Sequence, residues 1–366
     1  MYGPHPPETG GPASVVRDMA RALSDRGVEL TVVCRRDPLS GKAFRSKGEY
    51  RIISTKGWQP STIASLGSVV DISKKSHVLH AQSYATACAG ILLRAMLQKK
   101  LVSTLHTYYY SERREYLANP FELSLARTLE RLPIERSDAL VAVDKRIANW
   151  VRMRYCRPVD LTLSNNLYLS DFDKYDGAEK VHEWIVCPRH LYPKNGLHIA
   201  IRAMKEVTIR FPHMRMIIIG EGPERVMLEA LAMELGLAGR IKFLGNLSRG
   251  STIDIMAKAR MTLVPSVPVY GLEEATSVAA LESMAVGTPV IASAIGGLRE
   301  IIQDGQTGLL VVPGSPNDLA CGIARLLDDE QLETRLSKNG QQYVKANHDW
   351  RLNVKYLIEL YRRLLP

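Results

Sequence analysis

The segment Pro265-Ser-Val-Pro-Val-Tyr-Gly-Leu-Glu-Glu-Ala-Thr-Ser-Val-Ala-Ala-Leu-Glu-Ser-Met-Ala-Val-Gly-Thr-Pro-Val-Ile-Ala-Ser293 decides the fold class. An apolar run from Arg260 to Val264 leads into it and predicts a buried strand. A helix is expected to open near 275–277, and a second apolar strand follows Gly287-Thr-Pro289. Short apolar strands separated by helices are typical of parallel sheets covered on both faces. The segment therefore indicates an α/β protein.

Two glutamates in this segment, Glu274 and Glu282, are the first candidates for function. We expect Glu274 at the helix N-terminus and Glu282 two turns further along. The start of a helix favours negative charge and can hold a phosphate or a network of sugar hydroxyls. Carboxylates accept hydrogen bonds from vicinal hydroxyls in pairs, as in ribose and hexose recognition. Taken alone, the spacing fits equally well an exposed helix with two solvated glutamates.

The same rhythm of strand and helix runs through both halves of the chain. Apolar runs that predict strands lie at 29–34, 51–54, 78–81, 101–105, 139–143 and 161–164, then at 184–187, 216–219, 241–244, 261–264, 289–292 and 308–312. Two such units in tandem predict two doubly wound, Rossmann-like domains, whose ligands bind at the carboxyl ends of the strands. We expect the domains to cover 1–170 and 171–348, with a final helix over 349–366.

Length and composition fit this architecture. The chain has 366 residues, of which 46% are hydrophobic and 23% charged, as in globular proteins of two domains. No apolar stretch reaches the roughly 18 residues that a membrane-spanning helix needs, and no signal peptide is visible. Five scattered cysteines fit reduced thiols. These features predict a cytoplasmic location.

Positive charge is concentrated in the first half. Residues 1–175 carry 26 Lys and Arg against 17 Asp and Glu, whereas residues 176–366 carry 22 against 21. Such an excess suits an anionic membrane surface, a phosphorylated acceptor or nucleic acid, or it is simply a solvated basic face. Nucleic-acid binding would require interleaved aromatic residues, and the only hint of these is Tyr108-Tyr-Tyr110, so we do not expect it. The basic cluster consists of Lys42, Arg45, Lys47, Arg51 and Lys56.

Several loops at predicted strand ends carry groups suited to phosphate or sugar. Arg189 and Lys194 follow one strand, and together they could neutralise a diphosphate without a metal ion. Gly10 and Gly11 open the first helix, where the backbone can approach a ligand closely. His106 follows another buried strand. Individually, these groups also fit ordinary loop charges, a plain turn and a structural histidine.

The motifs in their order resemble those of the retaining glycosyltransferases of family 4, which have the GT-B fold. Glu274 and Glu282, with the following Ser-Met-Ala-Val-Gly-Thr-Pro, are similar to the Glu-x7-Glu signature of that family. Arg189 and Lys194 resemble its Gly-Arg-x4-Lys motif, with Pro188 in place of the glycine. The runs 220–225 and 296–300 resemble its Gly-Glu-Gly-Pro-Glu-Arg and Gly-Gly-x-x-Glu turns. The resemblance covers most of the chain.

This resemblance implies a GT-B fold, in which two Rossmann-like domains face each other across a cleft and the last helix crosses back to the first domain. It implies a metal-independent, retaining transfer of a sugar from a nucleoside diphosphate sugar to an acceptor hydroxyl, with no cofactor. The expected partners are the nucleotide sugar and a saccharide or lipid-linked acceptor. The basic first half, and not the resemblance, is the ground for considering a peripheral position on the inner face of a membrane as an option beside the cytoplasmic location. A GT-B epimerase acting on a nucleotide sugar is the alternative. It would need acid–base carboxylates and no acceptor.

The resemblance also assigns roles to individual residues. Four of them are expected in catalysis: His106 at the transferred sugar, Glu274 at the donor-sugar hydroxyls, and Arg189 with Lys194 at the leaving diphosphate. The remaining donor-binding residues are Gly10 and Gly11 at the phosphates, Leu247 at the base and Glu282 at the ribose. We interpret Asp171-Phe-Asp173 as a turn in a linker and not as a metal site. In the loop 164–168 the family usually has Asn-Gly-Val-Asp. There we expect Asn166 to preserve the left-handed turn.

Overall fold

Residues 11–35, 51–55, 63–114, 119–269 and 273–365 are described by the structure, a computed structural model. The chain folds as two units. One comprises Met1–Tyr168 with Trp350–Pro366, and the other comprises Leu169–Asp349. The sequence-based boundaries lay after residues 170 and 348. Gly10 and most of the basic cluster, namely Lys42, Arg45, Lys47 and Lys56, lie outside the described residues. Of Arg51 only the backbone is described.

The first unit is built on parallel strands. Its described strands are β1 (Thr31–Arg35), β2 (Arg51–Thr55), β3 (Val78–Ala81), β4 (Lys100–Leu105), β5 (Ala139–Ala142) and β6 (Leu161–Thr162). β1 pairs with β2, and a second sheet has the order β3-β4-β5-β6. Its helices are α1 (Gly11–Asp25), α2 (Ile63–Lys75), α3 (Tyr84–Leu97), α4 (Tyr109–Arg114), α5 (Pro120–Arg136), α6 (Lys145–Tyr155) and, from the C-terminal end of the chain, α14 (Trp350–Leu364).

The C-terminal helix α14 is part of the first unit because several of its residues bind there. The backbone N–H of Trp350 donates to the carbonyl of Leu167 over 2.9 Å. The side-chain amide of Asn353 donates to that of Asn166 over 2.6 Å. One side of α14 is buried, and it packs on α1.

The second unit has one six-stranded parallel sheet of order β12-β11-β10-β7-β8-β9. Its strands are β7 (Val181–Pro188), β8 (Arg215–Ile219), β9 (Ile241–Phe243), β10 (Ala259–Val264), β11 (Val290–Ser293) and β12 (Leu309–Val311). Its helices are α7 (Leu197–Arg210), α8 (Arg225–Glu234), α9 (Arg249–Lys258), α10 (Val278–Ala285), α11 (Leu298–Ile301), α12 (Pro316–Asp328) and α13 (Glu330–Asn347).

The direction of winding in this sheet changes at its centre. From β7 the chain moves to β8 and β9 on one side, then returns to β10 and continues to β11 and β12 on the other. β7 and β10 are therefore the neighbours at the topological switch point. In open α/β sheets ligands bind at that point, beyond the carboxyl ends of the strands. Arg189 directly follows β7, and Pro265 directly follows β10.

The sequence pattern explains why the four-stranded sheet of the first unit and the six-stranded sheet of the second unit form. All four residues of β5 are buried, as are all four of β11, so these strands are covered on both faces. All twelve predicted strands are present, with ends shifted by up to three residues, and the predicted α/β class of two Rossmann-like domains is confirmed. Within the described residues, no helix is long and apolar enough to cross a membrane.

Candidate active site

A largely buried ion pair joins the two loops at the switch point of the second unit. Nη1 of Arg189 lies 3.0 Å from Oε1 of Glu274, and Nη2 lies 2.7 Å from Oε2. The planar guanidinium thus meets the carboxylate through two parallel hydrogen bonds, the strong geometry for this pair. The two side chains are only 10% and 15% exposed. The sequence motifs on β7 and before α10 are therefore brought together in space.

Three further polar side chains surround the guanidinium of Arg189. Nη2 also donates to Oδ1 of Asn195 over 2.5 Å and to Oγ of Ser266 over 3.0 Å, while Nη1 donates to Oγ of Ser277 over 3.3 Å. Nε of Arg189 is buried and has no partner among the described residues. The hydrogen-bonding capacity of the guanidinium is therefore not fully used in this state, and a buried donor without a partner lowers stability.

The charge state of Glu274 follows from these neighbours. Burial alone would raise the pKa of its carboxyl group. The positive charge and hydrogen bonds of Arg189, together with the charge of Lys194, outweigh burial and hold the pKa below its usual value. Glu274 is therefore ionised at neutral pH and can accept hydrogen bonds but cannot donate one.

Glycines fix the path of the loop from Arg189 to Gly196. Gly196 has a positive φ of +65°, and a Cβ there would collide with the carbonyl oxygen of Pro265. Gly222 stands against the backbone of Leu191, with no room for a side chain. The backbone N–H of Leu191 donates to Glu221 over 3.1 Å, and that of Val267 donates to Lys194 over 2.9 Å. The Gly-Glu-Gly turn thus supports the loop that carries Arg189 and Lys194.

The turn before α11 is tied to the segment that carries Glu274. The backbone N–H of Gly297 donates to the carbonyl of Glu274 over 2.8 Å. That of Gly296 donates to the carboxylate of Glu273 over 2.9 Å. A Cβ on Gly297 would lie 2.6 Å from the backbone of Thr276, so only glycine permits this approach.

Glu282 lies in α10 and belongs to a second ion pair. Nε of Arg249, the first residue of α9, donates to its Oε1 over 2.5 Å, and the two side chains are 16% and 9% exposed. Our expectation that Glu274 lies at the start of this helix is wrong, because Ser277 caps α10 and Glu274 precedes it. β10 ends at Val264 and α10 begins at Val278, so Glu274 lies in the loop that connects them.

In the first unit, His106 follows β4 and belongs to a chain of uncharged side chains. Nε2 of His106 lies 3.1 Å from Oε1 of Gln82, whose Nε2 lies 2.9 Å from Nε2 of His80. Nδ1 of His80 lies 2.5 Å from the hydroxyl of Tyr361 on α14. Burial lowers the pKa of His106 to about 4 and that of His80 to about 3, so both are neutral at pH 7.

The other predicted site residues are placed as follows. Leu247 is half-buried in the loop between β9 and α9, two residues before Arg249, and Gly11 is the first residue of α1. Asp171 and Asp173 lie in two successive 3₁₀ turns. Among the described residues, no three His, Cys, Asp or Glu side chains are grouped as for a metal ion.

Sequence reasoning missed five residues of these clusters. Asn195, Ser266 and Ser277 lie within or beside recognised motifs, and a polar residue just after a strand or just before a helix was a signal available for each. Arg249 and Gln82 show no comparable signal, since neither spacing nor composition indicates their partners. Their roles emerge only when α9 meets α10 and when β3 lies beside β4.

Two family models match the chain. The model described as "Glycosyltransferase Family 4" matches residues 9–163, and the model described as "Glycosyl transferases group 1" matches residues 173–343. The chain belongs to the family 4 glycosyltransferases. The family predicted from the Glu-x7-Glu segment is confirmed, and the protein is an enzyme of the transferase class.

Curated relatives that are named as glycosyltransferases match most of the length of this chain. A D-inositol 3-phosphate glycosyltransferase of Corynebacterium diphtheriae is 26% identical over 390 residues, which cover 97% of this chain and 90% of that protein. An uncharacterized glycosyltransferase of Methanocaldococcus jannaschii is 25% identical over 302 residues, covering 79% of this chain and 75% of its own length.

Solved structures show the same fold. A sucrose-phosphate synthase of Thermosynechococcus elongatus matches with a TM-score of 0.80 at 23% identity, covering 97% of this chain and 94% of that chain. HepE of Anabaena, solved in complex with UDP-glucose, matches with a TM-score of 0.75 at 20% identity and covers 99% and 98%. The predicted GT-B fold is confirmed by these similarities.

Proposed function

We propose that this glycosyltransferase moves a sugar from a nucleoside diphosphate sugar to an acceptor hydroxyl, with retention at the anomeric carbon and without a metal ion. The observation that carries the proposal is the paired Arg189 and Glu274 at the switch point of the second unit, with Lys194 on the same loop. These groups supply fixed positive charge for a diphosphate and an ionised acceptor for sugar hydroxyls.

Donor binding requires an exchange of partners at Arg189. Its four Nη hydrogens are engaged by Glu274 and by three neutral side chains. A diphosphate, which is more strongly charged than any of these partners, would displace part of this set. Glu274 would then turn its carboxylate to the sugar of the same donor. The ion pair of the unliganded site thereby keeps Glu274 ionised and holds both side chains in place.

In the transfer step, the bond between the anomeric carbon and the diphosphate breaks, and negative charge develops on the leaving group. Arg189 and Lys194 would stabilise that charge, which is the usual source of a large rate effect. We assign His106 to the transferred sugar and Glu282 to the ribose. Retention would follow if the acceptor oxygen attacks the anomeric carbon from the face on which the diphosphate departs. The departing phosphate would then accept the proton of the acceptor hydroxyl.

No observation favours the alternative epimerase. An epimerase would need a carboxyl group that gives and takes protons near neutral pH. Arg189 holds the pKa of Glu274 below its ordinary value, which makes Glu274 a poor acid at that pH.

A thermal-shift series with UDP-, GDP- and ADP-sugars tests donor binding. A ligand that binds the folded state stabilises it by about 2.7 kcal/mol at a hundredfold excess over Kd, so the true donor raises the melting temperature. Arg189→Ala should abolish that rise. Arg210→Ala serves as the matched control, because it removes a guanidinium from an exposed ion pair of the same unit, 2.9 Å from Asp328. The absence of a shift with every nucleotide sugar would reject the proposal.

The stereochemical and metal assignments are tested on the product. We expect proton NMR during turnover to show the anomeric configuration of the donor retained, and we expect an unchanged rate after treatment with a chelator. Inversion would reject front-face attack. If activity vanished with chelator and returned with magnesium or manganese, the positive charges of Arg189 and Lys194 would not suffice for catalysis without a metal ion.

A further inference from the structure

The polar chain in the first unit has a defined sequence of donors and acceptors. Gln82 directly follows β3 and His106 directly follows β4, and these parallel strands are neighbours in the sheet. Oε1 of Gln82 faces Nε2 of His106 at 3.1 Å, and Nε2 of Gln82 faces Nε2 of His80 at 2.9 Å. Gln82 and His80 are only 2% and 5% exposed, so water does not compete for these contacts.

The chemistry of the amide group then fixes both rings. An amide oxygen only accepts hydrogen bonds, and an amide nitrogen only donates them. In the amide orientation that the structure gives, Nε2 of His106 donates to the amide oxygen and therefore carries its proton, while Nε2 of His80 accepts from the amide nitrogen and does not. The proton of His80 lies on Nδ1, from which it is donated to the hydroxyl of Tyr361 over 2.5 Å. The hydroxyl of Thr104, 2.7 Å from Nε2 of His80, closes the group.

Because burial keeps both rings neutral at pH 7, each has one protonated and one unprotonated nitrogen. For His106 the unprotonated nitrogen is Nδ1, and among the described residues this atom has no hydrogen-bond partner. A lone pair on Nδ1 can accept a hydrogen bond but cannot donate one.

We propose that Gln82 is a positioning residue that holds His106 in its Nε2–H tautomer, so that Nδ1 presents a lone pair to a hydroxyl of the bound sugar. The second half of this statement rests on the proposed function, and the first half does not. A ring fixed in the opposite tautomer would offer an N–H, which a hydroxyl oxygen or a phosphate oxygen could accept, whereas a lone pair can be approached only by a donor such as a hydroxyl. Gln82 thereby decides whether His106 accepts or donates a hydrogen bond at this atom.

The tautomer is measured directly on the unliganded enzyme. We label the histidine rings with ¹⁵N and assign the signal of His106 as the one that is lost in His106→Phe. In the unsubstituted protein at pH 7 we expect Nε2 to be protonated and Nδ1 to be unprotonated. Gln82→Met has a similar shape but no acceptor, so it should give a mixture of both tautomers.

Gln82→Glu is the conservative partner of this variant. Whether it is ionised or protonated, the carboxyl group offers His106 an oxygen acceptor, so the Nε2–H tautomer should persist. Gln331→Met, on the exposed face of α13, controls for the substitution itself. A dominant Nδ1–H tautomer in the unsubstituted protein, or no change in Gln82→Met, would overturn the proposal, whatever the enzyme transfers.

Kinetics test the functional half. With the donor that the thermal-shift series identifies, Gln82→Met should lower kcat about tenfold, the effect of one neutral hydrogen bond. Its affinity for the free nucleotide should stay unchanged, because His106 serves the sugar. Gln82→Glu should recover most of kcat. A normal kcat in Gln82→Met together with a changed tautomer would show that the tautomer of His106 does not affect catalysis. That outcome would refute the functional part of the proposal but not the proposed binding of the donor in the second unit.

Discussion

The two units hold the polar side chains of their candidate sites in opposite ways. In the second unit the candidate groups are held by ion pairs, as in Arg189 with Glu274 and Arg249 with Glu282. In the first unit His106 and His80 are kept neutral, and Gln82 links them without any charge. A diphosphate requires formal positive charge, whereas a sugar hydroxyl requires only a directed lone pair.

This difference also sets what disturbs each unit. A largely buried ion pair is sensitive to the loss of either partner, since the remaining charge is left uncompensated. A neutral chain of hydrogen bonds is sensitive to any change that adds a proton. The two regions should therefore fail under different conditions, which can be measured separately.

Acidification gives the largest expected difference. The pKa of His80 falls from 6.5 to about 3 on burial. The unfolded chain therefore takes up a proton first, and stability is full above pH 6.5 and declines as pH falls. At about 1.4 kcal/mol per pH unit, the whole displacement amounts to about 5 kcal/mol. His106 adds to the decline between pH 6.5 and about 4. The pKa of Glu274 lies below 4.5, so its contribution is lost only in more acid solution.

Hydrogen exchange read by mass spectrometry checks the order of these events. Between pH 7 and pH 5 we expect protection in β3 and β4 to fall, after correction for intrinsic rates, while β7 and β10 keep theirs. In His80→Gln the pH dependence of β3 should flatten, although the variant is less stable at pH 7. Equal losses in both units over this range would show that the neutral histidines do not determine acid sensitivity.

Removal of the cations is the next largest effect, and it concerns the second unit. Arg189→Ala or Lys194→Ala should each cost about 2–4 kcal/mol of transition-state stabilisation, as expected for a group that meets charge developing on a leaving group. The measurement is kcat/KM with the identified donor. Arg210→Ala, which breaks an exposed pair of the same unit, should stay within about 0.5 kcal/mol of the unsubstituted enzyme. Near-normal transfer in both cation variants would contradict the assignment.

The two glutamates give a smaller and more selective effect. Glu282→Ala should weaken binding of the free nucleoside diphosphate by about 1.5–3 kcal/mol, the range for losing a hydrogen bond to a charged group. Glu274→Ala should bind the free nucleotide at least as well as the unsubstituted enzyme, because it removes the competitor for Arg189, yet it should lose turnover. Calorimetry with the nucleotide and with the nucleotide sugar separates the two. Equal nucleotide binding by both variants would refute this division of roles.

Most of the fold could be predicted from the sequence, and the site could be predicted only in part. Continuous apolar runs such as 261–264 indicate buried strands because both faces of the sheet are covered. The order of the sequence motifs indicates the family, and these motifs contain Arg189, Lys194, Glu274 and Glu282. The pairing of Arg249 with Glu282 and that of Gln82 with His106 could not be predicted. Arg249 meets Glu282 across 33 residues of chain, and Gln82 meets His106 across 24.

Asn166 shows the same limit at the level of the backbone. Its residue type allows a left-handed turn, but among the described non-glycine residues only Gln98 and Cys156 have a positive φ. The expectation of a left-handed turn at Asn166 is therefore wrong. Its side chain instead donates to the carbonyl of Ser164 over 2.6 Å and accepts from Asn353 on α14. A helix nearly two hundred residues further along the chain determines this loop, and no local pattern contains that information.

The smallest effect per residue concerns the charge of the two halves. The first half carries an excess of nine positive charges and the second an excess of one, although the proposed diphosphate site lies in the second. We propose that the excess attracts an anionic acceptor or an anionic membrane that carries a lipid-linked acceptor. Each basic side chain near such a surface contributes about 1 kcal/mol, which salt weakens. The protein should therefore sediment with liposomes that contain anionic lipid and not with neutral ones.

Neutralising Lys42, Arg45, Lys47, Arg51 and Lys56 together should lower this binding and leave nucleotide affinity intact. The matched control neutralises five exposed basic residues of the second unit, namely Lys205, Lys242, Lys258, Arg335 and Lys338, and should change liposome binding little. Both variants lose five positive charges. A difference in liposome binding between them would therefore show that the position of the basic residues determines the attraction, and not the net charge of the protein. Equal recovery with neutral and anionic liposomes, or none with either, would reject the membrane and favour a soluble acceptor. Binding that fell equally in both variants would mean that net charge alone draws the protein to the surface.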